Sequence, residues 1–538
     1  MNEDAAPTPR NTRWVSWLGI LPVPAALLIV IGVLSSAKGP FWLDTNLDPD
    51  YAYLLNGLNI TEGQLPGHVD HPGTPVQILD GWVINAVAHA TGHGEFQSRR
   101  EDMLTRPEFY LNWCARLYVL IFLLAALGIG ALVFHLTRNA LWAAAAQSPA
   151  LLAVQAPLSL TCVKPEPLLL SLGLCMGLIT LLHGYGSFRS KDGRVALLFG
   201  LTVGLGIATK VTFLPLVILP LIVLNGIWPR LLYMLTAGLS LFVATLPIHL
   251  MLDTMKDWFT GLATHTGGYG NGPRGFIDPL EYVLALGRVA VMEIPFTLIV
   301  VASFVVLLLT RKADLTDSSR ALRRCLWGVT LTELAQILLV AKHPWHGEHY
   351  LVPSLALMGV NLVLIAPLIG SNVRDRARKV AVGLVVCATL FQVWSFLALR
   401  GELLEHRRDS ESVDSFLNQF PDATVAAYYP ASSQVYALQF GNRFAVANYS
   451  DSLMKLYPHV ILYHQWFRMF VNYRGGIPDA QMAALAGASK LLIRGAELGK
   501  DLPSGPEGSP FFPPGARLEL LFSTHTECVY RVTAWPEK

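Results

Sequence analysis

The sequence is 538 residues long, 53% hydrophobic and 14% charged, with a mean hydropathy of +0.44. A soluble protein of this size carries more charge, so the composition indicates a polytopic membrane protein. A net charge of only +2, without any Lys/Arg-rich run of nucleic-acid type, excludes a nucleic-acid-binding protein. The six cysteines have neither paired nor metal-ligand spacing and predict no disulfide framework.

The N-terminal part predicts an uncleaved membrane anchor. Residues 1–13 are polar and include Arg10 and Arg13, and the apolar run from Trp14 to about Leu34 is long enough to cross a bilayer. Basic residues flank the cytoplasmic ends of spans, so we expect residues 1–13 in the cytoplasm. The SSAK sequence that follows is a poor signal-peptidase site. Residues 37–109 then form a large outer loop, and their apolar spacing predicts short amphipathic helices.

Ten further apolar runs bring the predicted total to about eleven membrane-spanning helices. When the spans alternate, the basic loops RSKDGR, RKADLTDSSRALRR and RDRARK all fall on the cytoplasmic side. The alternation places the first loop and the segments at 164–167, 210, 253–275 and 342–350 outside the cytoplasm. The runs are 111–134, 142–160, 168–182, 195–208, 213–227, 231–252, 294–310, 325–341, 351–369 and 380–399.

Residues 400–538 are less hydrophobic and richer in proline and charge. ATVAAYY, RFAVANY, KLLIRG, RLELLFS and CVYRVTAW have β-strand character, and ESVDSFLNQF and DAQMAALAGA have helical character. This alternation predicts a small extracytoplasmic α/β domain, large enough to bury a core of its own. The predicted organisation is a cytoplasmic N-terminus (1–13), a membrane domain (14–399) and an outer α/β domain (400–538).

Polar residues are concentrated in five outer segments, although a bilayer requires only apolar spans and interfacial anchors there. The segments are DPDY at 48–51, HVDHPGTP at 68–75, KPEP at 164–167 with Lys210, the 253–275 loop, and KHPWHGEHY at 342–350. Loops that carry polar side chains on one side of a rigid scaffold are typical of an active site. The candidate residues are Asp48, Asp50, His68, Asp70, His71, Lys164, Glu166, Lys210, His265, Arg274, Lys342, His349 and Tyr350.

Some of these residues also have a purely structural interpretation. Asp48 could cap the helix that follows it, although a second carboxylate at Asp50 favours chemistry. Lys164 and Glu166 could form an ion pair that closes a helix end. Lys342 could simply anchor its helix at the membrane interface.

Two further groups are ambiguous in the sequence. His343, His346 and His349 lack the spacing of a zinc site, because Pro344 and Gly347 interrupt their segment. Glu333 falls near the middle of a predicted span, where a charge costs about 2.5–3.5 kcal/mol or more. It is therefore protonated, paired within the bundle, or functional.

The order of these features resembles the GT-C membrane glycosyltransferases, over roughly residues 14–400. An early carboxylate motif and two amphipathic loop helices precede short spans that meet at a Thr-Lys pair, and a lysine followed by a His-Tyr-Leu-x-Pro element comes later. The residues that carry these motifs are Thr209, Lys210, Lys342, His349, Tyr350, Leu351 and Pro353. The nearest branches are the protein O-mannosyltransferases and the lipid A aminoarabinose transferases. The chain has DPDY where those branches carry Asp-Glu, and HPGTP where related enzymes have His-Pro-Pro.

The resemblance implies transfer of a sugar from a polyprenyl-phosphate donor, undecaprenyl or dolichyl, to a glycan, lipid or protein acceptor outside the membrane. A bacterial inner membrane is the expected location. Of Asp48 and Asp50, one takes the acceptor proton and the other orients it or binds Mg²⁺ or Mn²⁺, so dependence on a metal stays open.

The remaining candidates have two expected roles. Cationic and hydrogen-bonding groups hold the charge that develops on the donor phosphate, and they are Lys164, Lys210, Arg274, Lys342, His349 and Tyr350. The expected substrate-binding residues are His68, Asp70, His71, Glu166 and His265.

Two other classes of function fit part of the pattern. A surface-polysaccharide ligase or polymerase shares the lipid-linked sugar chemistry but uses a pyrophosphate-linked donor. A secondary transporter also carries polar residues in a membrane domain, but it shows paired broken helices, an inverted repeat and charges near the midplane. Most candidate residues here lie in outer loops instead, which favours the transferase.

Overall fold

The computed structural model divides into two compact units. The first, here called the helical unit, contains Met1–Gly32, Val69–Val76 and Ala115–Phe396. The second, the mixed unit, contains Val33–His68, Gln77–Cys114 and Leu397–Lys538. The structure describes residues 18–43, 50–70, 72–186, 192–267, 270, 272–311, 316–342, 347–369, 371–428, 433–464, 467–496 and 512–536, without the side chains of 348, 371–389 and 496.

Membrane-length helices dominate the described part of the chain. Six of them are long and apolar enough to cross a bilayer: Leu18–Lys38, Pro107–Thr137, Pro165–Gly184, Asp192–Thr209, Ile227–Ala244 and Asp317–Ala341. Pro279–Met292 and Ile294–Leu309 meet at a bend of 99° and would make a seventh span if counted as one. The predicted helical, multi-span membrane fold is confirmed.

The other predicted spans lie on shorter, broken or longer helices. The 142–160 run forms Ala140–Gln147, Pro149–Leu152 and Gln155–Ser159, and the 351–369 run forms Val352–Leu355 and Met358–Ile365 after a 3₁₀ turn, Glu348–Leu351. The 213–227 run begins as a 3₁₀ helix, Val211–Val217, and continues as Ile218–Val223. A proline inside a run has no N–H to donate and therefore interrupts the helix. An apolar run that contains proline thus predicts a buried segment, but it does not predict one continuous helix. The remaining helices of this part are Leu246–Met251 (3₁₀), Leu252–Thr264 and Ser371–Leu417.

Two glycines bring a pair of these helices into close contact. A Cβ atom at Gly200 would lie 2.8 Å from the carbonyl oxygen of Tyr233, and one at Gly204 would lie 2.5 Å from that of Ala237. Small residues at a four-residue interval allow membrane helices to approach closely. The contact fixes the Asp192–Thr209 helix, and Lys210 follows directly at its end.

Within the described residues, the mixed unit contains a seven-stranded sheet of order β4-β3-β2-β1-β5-β7-β6. The strands are β1 (Thr424–Tyr428), β2 (Leu462–His464), β3 (Met469–Asn472), β4 (Gly475–Gly476), β5 (Leu491–Ala496), β6 (Arg517–Ser523) and β7 (Glu527–Ala534). β1 is parallel to β2 and β5, and the other pairs are antiparallel. Three helices connect them: Gln434–Phe444, Ser450–Leu456 and Asp479–Gly487. The predicted C-terminal α/β fold is confirmed.

The first loop contributes three helices to the same unit: Asp50–Thr61, here called the loop helix, Thr74–Ala90 and Phe96–Thr105, after a 3₁₀ turn at Phe41–Leu43. The loop helix packs on the Gln434–Phe444 helix of the C-terminal region. A Cβ atom at Gly441 would lie 2.7 Å from the carbonyl oxygen of Tyr51. By their contacts, most of the first loop and the C-terminal region therefore belong to one compact unit.

One predicted strand is wrong. RFAVANY (443–449) finishes the Gln434–Phe444 helix and continues as a turn in which Val446 and Ala447 have φ values of 59° and 57°. Positive φ is unfavourable for a β-branched residue and persists only where the surroundings fix the backbone. Contacts with a distant segment therefore determine the conformation of this run, against its β propensity.

Two buried asparagines of the loop helix make those contacts. The Nδ2 atom of Asn56 donates to the carbonyl oxygen of Phe444 at 3.1 Å, and that of Asn59 donates to the carbonyl oxygen of Ala445 at 3.2 Å. The Oδ1 atom of Asn59 accepts from the Tyr449 hydroxyl at 2.7 Å. Each amide donates two and accepts two hydrogen bonds, which is the capacity of an asparagine side chain.

Replacement of Asn59 by Ala is expected to destabilise the mixed unit. The change leaves buried carbonyl and hydroxyl groups without their partner, and each such group costs about 1–3 kcal/mol. Thermal unfolding of the purified protein should show a lower midpoint than the wild type, whereas Asn418→Ala, at an exposed position, should not. Equal midpoints for the two variants would contradict this account of the turn.

Candidate active site

Asp50 is the first residue of the loop helix, and its side chain is completely buried. The ammonium of Lys38, at the end of the first apolar helix, lies 3.8 Å from its Oδ2 atom. Lys38 is also buried, so the two charges compensate each other away from bulk water. A carboxylate at the first turn of a helix is further stabilised by the helix dipole. This setting holds the carboxylate of Asp50 at a fixed position.

Glu108, in the first turn of the Pro107–Thr137 helix, organises the surroundings of Asp50. Its carboxylate accepts hydrogen bonds from the backbone N–H groups of Phe41 (2.9 Å) and Trp42 (3.3 Å) and from the Tyr51 hydroxyl (2.7 Å). Burial and the neighbouring Glu108 raise the pKa of Tyr51, so its hydroxyl stays a donor. These contacts join the end of the first span, the loop helix and the second span around Asp50.

In the helical unit, Glu166 and Lys210 form a buried ion pair. The ammonium nitrogen of Lys210 lies 2.6 Å from Oε1 of Glu166, and both side chains are about 5% exposed. The sequence folds this way because Pro165 occupies the first helical position, where its missing N–H is not needed, and Glu166 follows in the first turn. Lys164 immediately precedes this helix and is also buried. Two lysines and one glutamate leave a net positive charge at this helix end.

His349 and Tyr350 join the same cluster. The Lys210 ammonium lies 4.8 Å from the centre of the Tyr350 ring, and His349 interacts electrostatically with Glu166. Gln336, which the sequence did not single out, donates to the Tyr350 carbonyl oxygen at 2.7 Å and fixes this segment to the neighbouring helix. A carboxylate, a lysine, an imidazole and a phenol thus meet at one end of the bundle, and Lys164 lies two residues before the carboxylate in the chain.

The HVDHPGTP segment reaches this cluster through its backbone. Pro72 forms an antiparallel bridge with Lys210, and Asp70 lies two residues earlier in the chain. Both belong, by their contacts, to the helical unit. His68 belongs to the mixed unit, where its ring packs between those of Tyr53 and Phe444 at 4.8 and 4.7 Å. Substrate contacts of Asp70 and His68 stay predictions.

Lys342, Arg274 and His265 form a separate group in the helical unit. His265 and Arg274 pair through a backbone bridge that closes the glycine-rich loop. Lys342 donates to the carbonyl oxygen of Leu262, and its ammonium lies 4.0 Å from the centre of the Phe276 ring. Burial lowers the pKa of Lys342. Lys342 also lines a cavity, together with Thr266, Gly267, Ile277, Asp278, Glu281, Tyr282 and Ala341.

Two candidates, Asp48 and His71, fall outside the described residues, as do His343 and His346. Among the described residues, no group of three His, Cys, Asp or Glu side chains could hold a metal ion. The cation nearest to Asp50 in this setting is the ammonium of Lys38. The described side chains alone therefore do not provide a divalent-cation site.

Glu333 is paired within the bundle. Its two carboxylate oxygens lie 2.6 and 2.8 Å from Nδ2 of Asn361, and both side chains are fully buried. Of the three possibilities that the sequence left open, the structure supports pairing within the bundle, with Asn361 as the partner of Glu333. The asparagine satisfies the carboxyl group inside a span, where an unpaired polar group is costly.

The fold is similar to that of the lipid A aminoarabinose transferase ArnT from Cupriavidus metallidurans, a GT-C glycosyltransferase. A crystal structure of ArnT bound to undecaprenyl phosphate aligns over 96% of this chain and 98% of that chain, with 14% identity and a TM-score of 0.50. The apo crystal structure aligns over 97% and 98%, with 13% identity and a TM-score of 0.50. No protein-family model and no curated protein sequence matches the chain. The predicted resemblance to the GT-C enzymes is confirmed for the fold.

Replacement of Lys342 by Gln tests whether this residue binds donor or anchors its helix. We expect a higher apparent Michaelis constant for the donor and slower transfer, with little change in the stability of the protein. The reason is that the ammonium is the part of the side chain that would reach a phosphate. Lys256→Gln, an exposed lysine of the Leu252–Thr264 helix, is the matched control. Lower stability with unaltered kinetics would instead identify Lys342 as an anchor, in line with its bond to Leu262.

Proposed function

We propose that this chain, which has the GT-C fold seen in ArnT, is a membrane glycosyltransferase that uses a polyprenyl-phosphate-linked sugar as its donor. The acceptor is a hydroxyl or similar group of a glycan, lipid or protein on the outer side of the membrane. The carrier is undecaprenyl or dolichyl phosphate, and the expected location is a bacterial inner membrane.

The buried cluster around Lys210 is the observation that carries this proposal. Two cationic or cationisable side chains, Lys210 and His349, interact with the buried carboxylate of Glu166 at one end of a membrane helix bundle, and the buried Lys164 directly precedes the helix that carries Glu166. The phosphate of a polyprenyl phosphate stands at the end of a long apolar tail. Because the tail stays among the membrane spans, the phosphate lies near the end of the helix bundle, where this cluster is found. Fixed cations in a water-poor site stabilise charge that develops on a leaving phosphate.

The reaction needs few protein groups. The acceptor oxygen attacks C1 of the donor sugar, the bond between C1 and the phosphate oxygen breaks, and polyprenyl phosphate leaves with the bonding electrons. We assign removal of the acceptor proton to Asp50, whose position is held by the loop helix and Lys38. We assign the leaving phosphate to the Lys210 cluster, with Glu166 holding the lysine in place. Tyr51 and Glu108 act by fixing the surroundings of Asp50.

Reconstitution tests the proposal against its alternatives. The purified full-length protein is placed in proteoliposomes with undecaprenyl-phosphate sugars, and release of undecaprenyl phosphate is measured with and without candidate acceptors. Acceptor-dependent release is expected. Turnover restricted to pyrophosphate-linked oligosaccharides would identify a ligase or polymerase, and uptake of a solute without bond cleavage would identify a transporter.

The proposed orientation has its own test. Because the basic loops are expected in the cytoplasm, a reporter that is active only outside the cytoplasm should be active when fused after Arg408 and inactive when fused after Ser319. A fusion after Arg408 that is active only in the cytoplasm would contradict the orientation, and with it the assignment of the first loop to the outer side.

A further inference from the structure

A second polar group lies in the C-terminal sheet, apart from the candidate residues above. His464 is the last residue of β2, Arg443 lies at the end of the Gln434–Phe444 helix, and Phe467 precedes β3. Nη1 of Arg443 contacts Nε2 of His464, and the guanidinium carbon lies 5.6 Å from the centre of the Phe467 ring. That ring stacks on the imidazole with 4.4 Å between centres. The three side chains form one compact group within the mixed unit.

The hydrogen bonds of His464 are in conflict. Its Nε2 atom faces a guanidinium N–H of Arg443, and its Nδ1 atom faces the backbone N–H of Phe467 at 3.4 Å. A neutral imidazole has one lone pair and one N–H, so it accepts only one of these bonds and directs its own proton at the other donor. A protonated imidazole accepts neither. When Nδ1 accepts from Phe467, the proton lies on Nε2 beside the guanidinium, and an oxyanion there would accept from both Arg443 and His464.

The charges of these side chains also favour binding of an anion. His464 is only 5% exposed, and burial together with the Arg443 charge lowers the pKa of His464 to about 4. Arg443 is exposed, and no carboxylate among the described residues forms an ion pair with it. The planar fork of a guanidinium matches the geometry of a phosphate or carboxylate. The Phe467 ring beside it is 62% exposed and offers a flat apolar face next to the cation.

We propose that Arg443 and His464 bind the oxyanion of a phosphorylated sugar whose ring covers Phe467. The phosphate is held by charge-assisted hydrogen bonds, and the apolar face of the sugar ring packs on the aromatic ring. The same chemistry is offered by a soluble sugar phosphate and by the phosphorylated headgroup of a lipid. The subsite is independent of the transfer reaction proposed above.

Binding of glucose 1-phosphate and of inorganic phosphate to the purified full-length protein, measured by calorimetry, tests this subsite. Glucose 1-phosphate should bind more tightly than phosphate. Arg443→Gln should weaken binding of both at least tenfold, Arg443→Lys should weaken it less, and Phe467→Ala should weaken glucose 1-phosphate alone. Arg474→Gln, an exposed arginine of the same region, should bind like the wild type, and all variants should melt like it.

Glucose 1-phosphate that binds equally well to Arg443→Gln and wild type, or shows no saturable binding, would overturn the proposal. Competition between glucose 1-phosphate and lipid vesicles identifies the source of the phosphate. Vesicles that contain a phosphorylated inositol lipid should displace the sugar phosphate if a headgroup is the ligand, with phosphatidylcholine vesicles as the control. Retained binding of glucose 1-phosphate in both cases supports the subsite and assigns it to a soluble ligand.

Discussion

Replacement of Asp50 by Asn should lower the rate of sugar transfer by about 10²- to 10⁴-fold, the usual loss when a general base is removed. The amide keeps the size of the side chain but cannot take the acceptor proton. The effect should appear in the maximal rate per folded protein, and donor binding should change little. Asp451→Asn, at an exposed position that pairs only with Arg474 among the interactions described, is the matched control and should transfer normally.

Loss of the buried charge at Asp50 also leaves Lys38 uncompensated, so a stability effect must be separated from a chemical one. The double variant Lys38→Met, Asp50→Asn removes both charges. It should recover the thermal midpoint of the wild type and remain inactive. A double variant that regains transfer would show that Asp50 serves only to balance Lys38, and the base would then have to lie elsewhere in the first loop.

Replacement of Lys210 by Met has the second largest expected effect. It removes the lysine that forms the buried ion pair with Glu166, and breaking such a pair typically costs about 3–5 kcal/mol. The single variant should therefore express poorly or melt at a much lower temperature. Addition of Glu166→Gln should restore stability, because the buried charge is then gone.

The double variant also separates the two roles of Lys210. If the lysine binds the donor phosphate, the stable double variant should bind undecaprenyl phosphate at least tenfold more weakly and transfer sugar slowly. Arg320→Gln, whose side chain is exposed and pairs with Asp317 on the surface, should bind and transfer like the wild type. Full activity of the Lys210→Met, Glu166→Gln protein would reduce this pair to a structural element.

The sequence predicted the fold class because the bilayer imposes a simple requirement on it. Apolar runs of sufficient length are visible without tertiary information, and runs such as 111–134 and 168–182 became long helices. Runs with internal prolines form several short helices instead of one span. The apolar composition of a run does not show where the backbone hydrogen bonding of its helix is interrupted. The RFAVANY segment was misread because its backbone is fixed by Asn56 and Asn59, far away in sequence.

The candidate site was predictable only one residue at a time. Glu166, Lys210 and Tyr350 attracted notice as polar residues at the ends of apolar runs, and the structure brings them together. Lys38 resembled an ordinary interfacial lysine, and Glu108 an ordinary first-turn acid after Pro107. Their roles depend on contacts with Asp50 and Tyr51, which spacing does not reveal. The pairing of the first loop with the C-terminal region had no local signal either.

The asparagine contacts of the loop helix also constrain when this protein can finish folding. The bond from Asn59 to the carbonyl of Ala445 spans 386 residues of sequence. At a synthesis rate of about 5–20 residues per second, the loop helix waits roughly 20–80 s for its partner. During that interval two polar amides and the face around Tyr51, which packs on Gly441, lack their final contacts. Packing of the loop helix against the C-terminal region is therefore a late, post-insertion event, and a nascent chain halted before β1 would lack the surface that holds its loop helix.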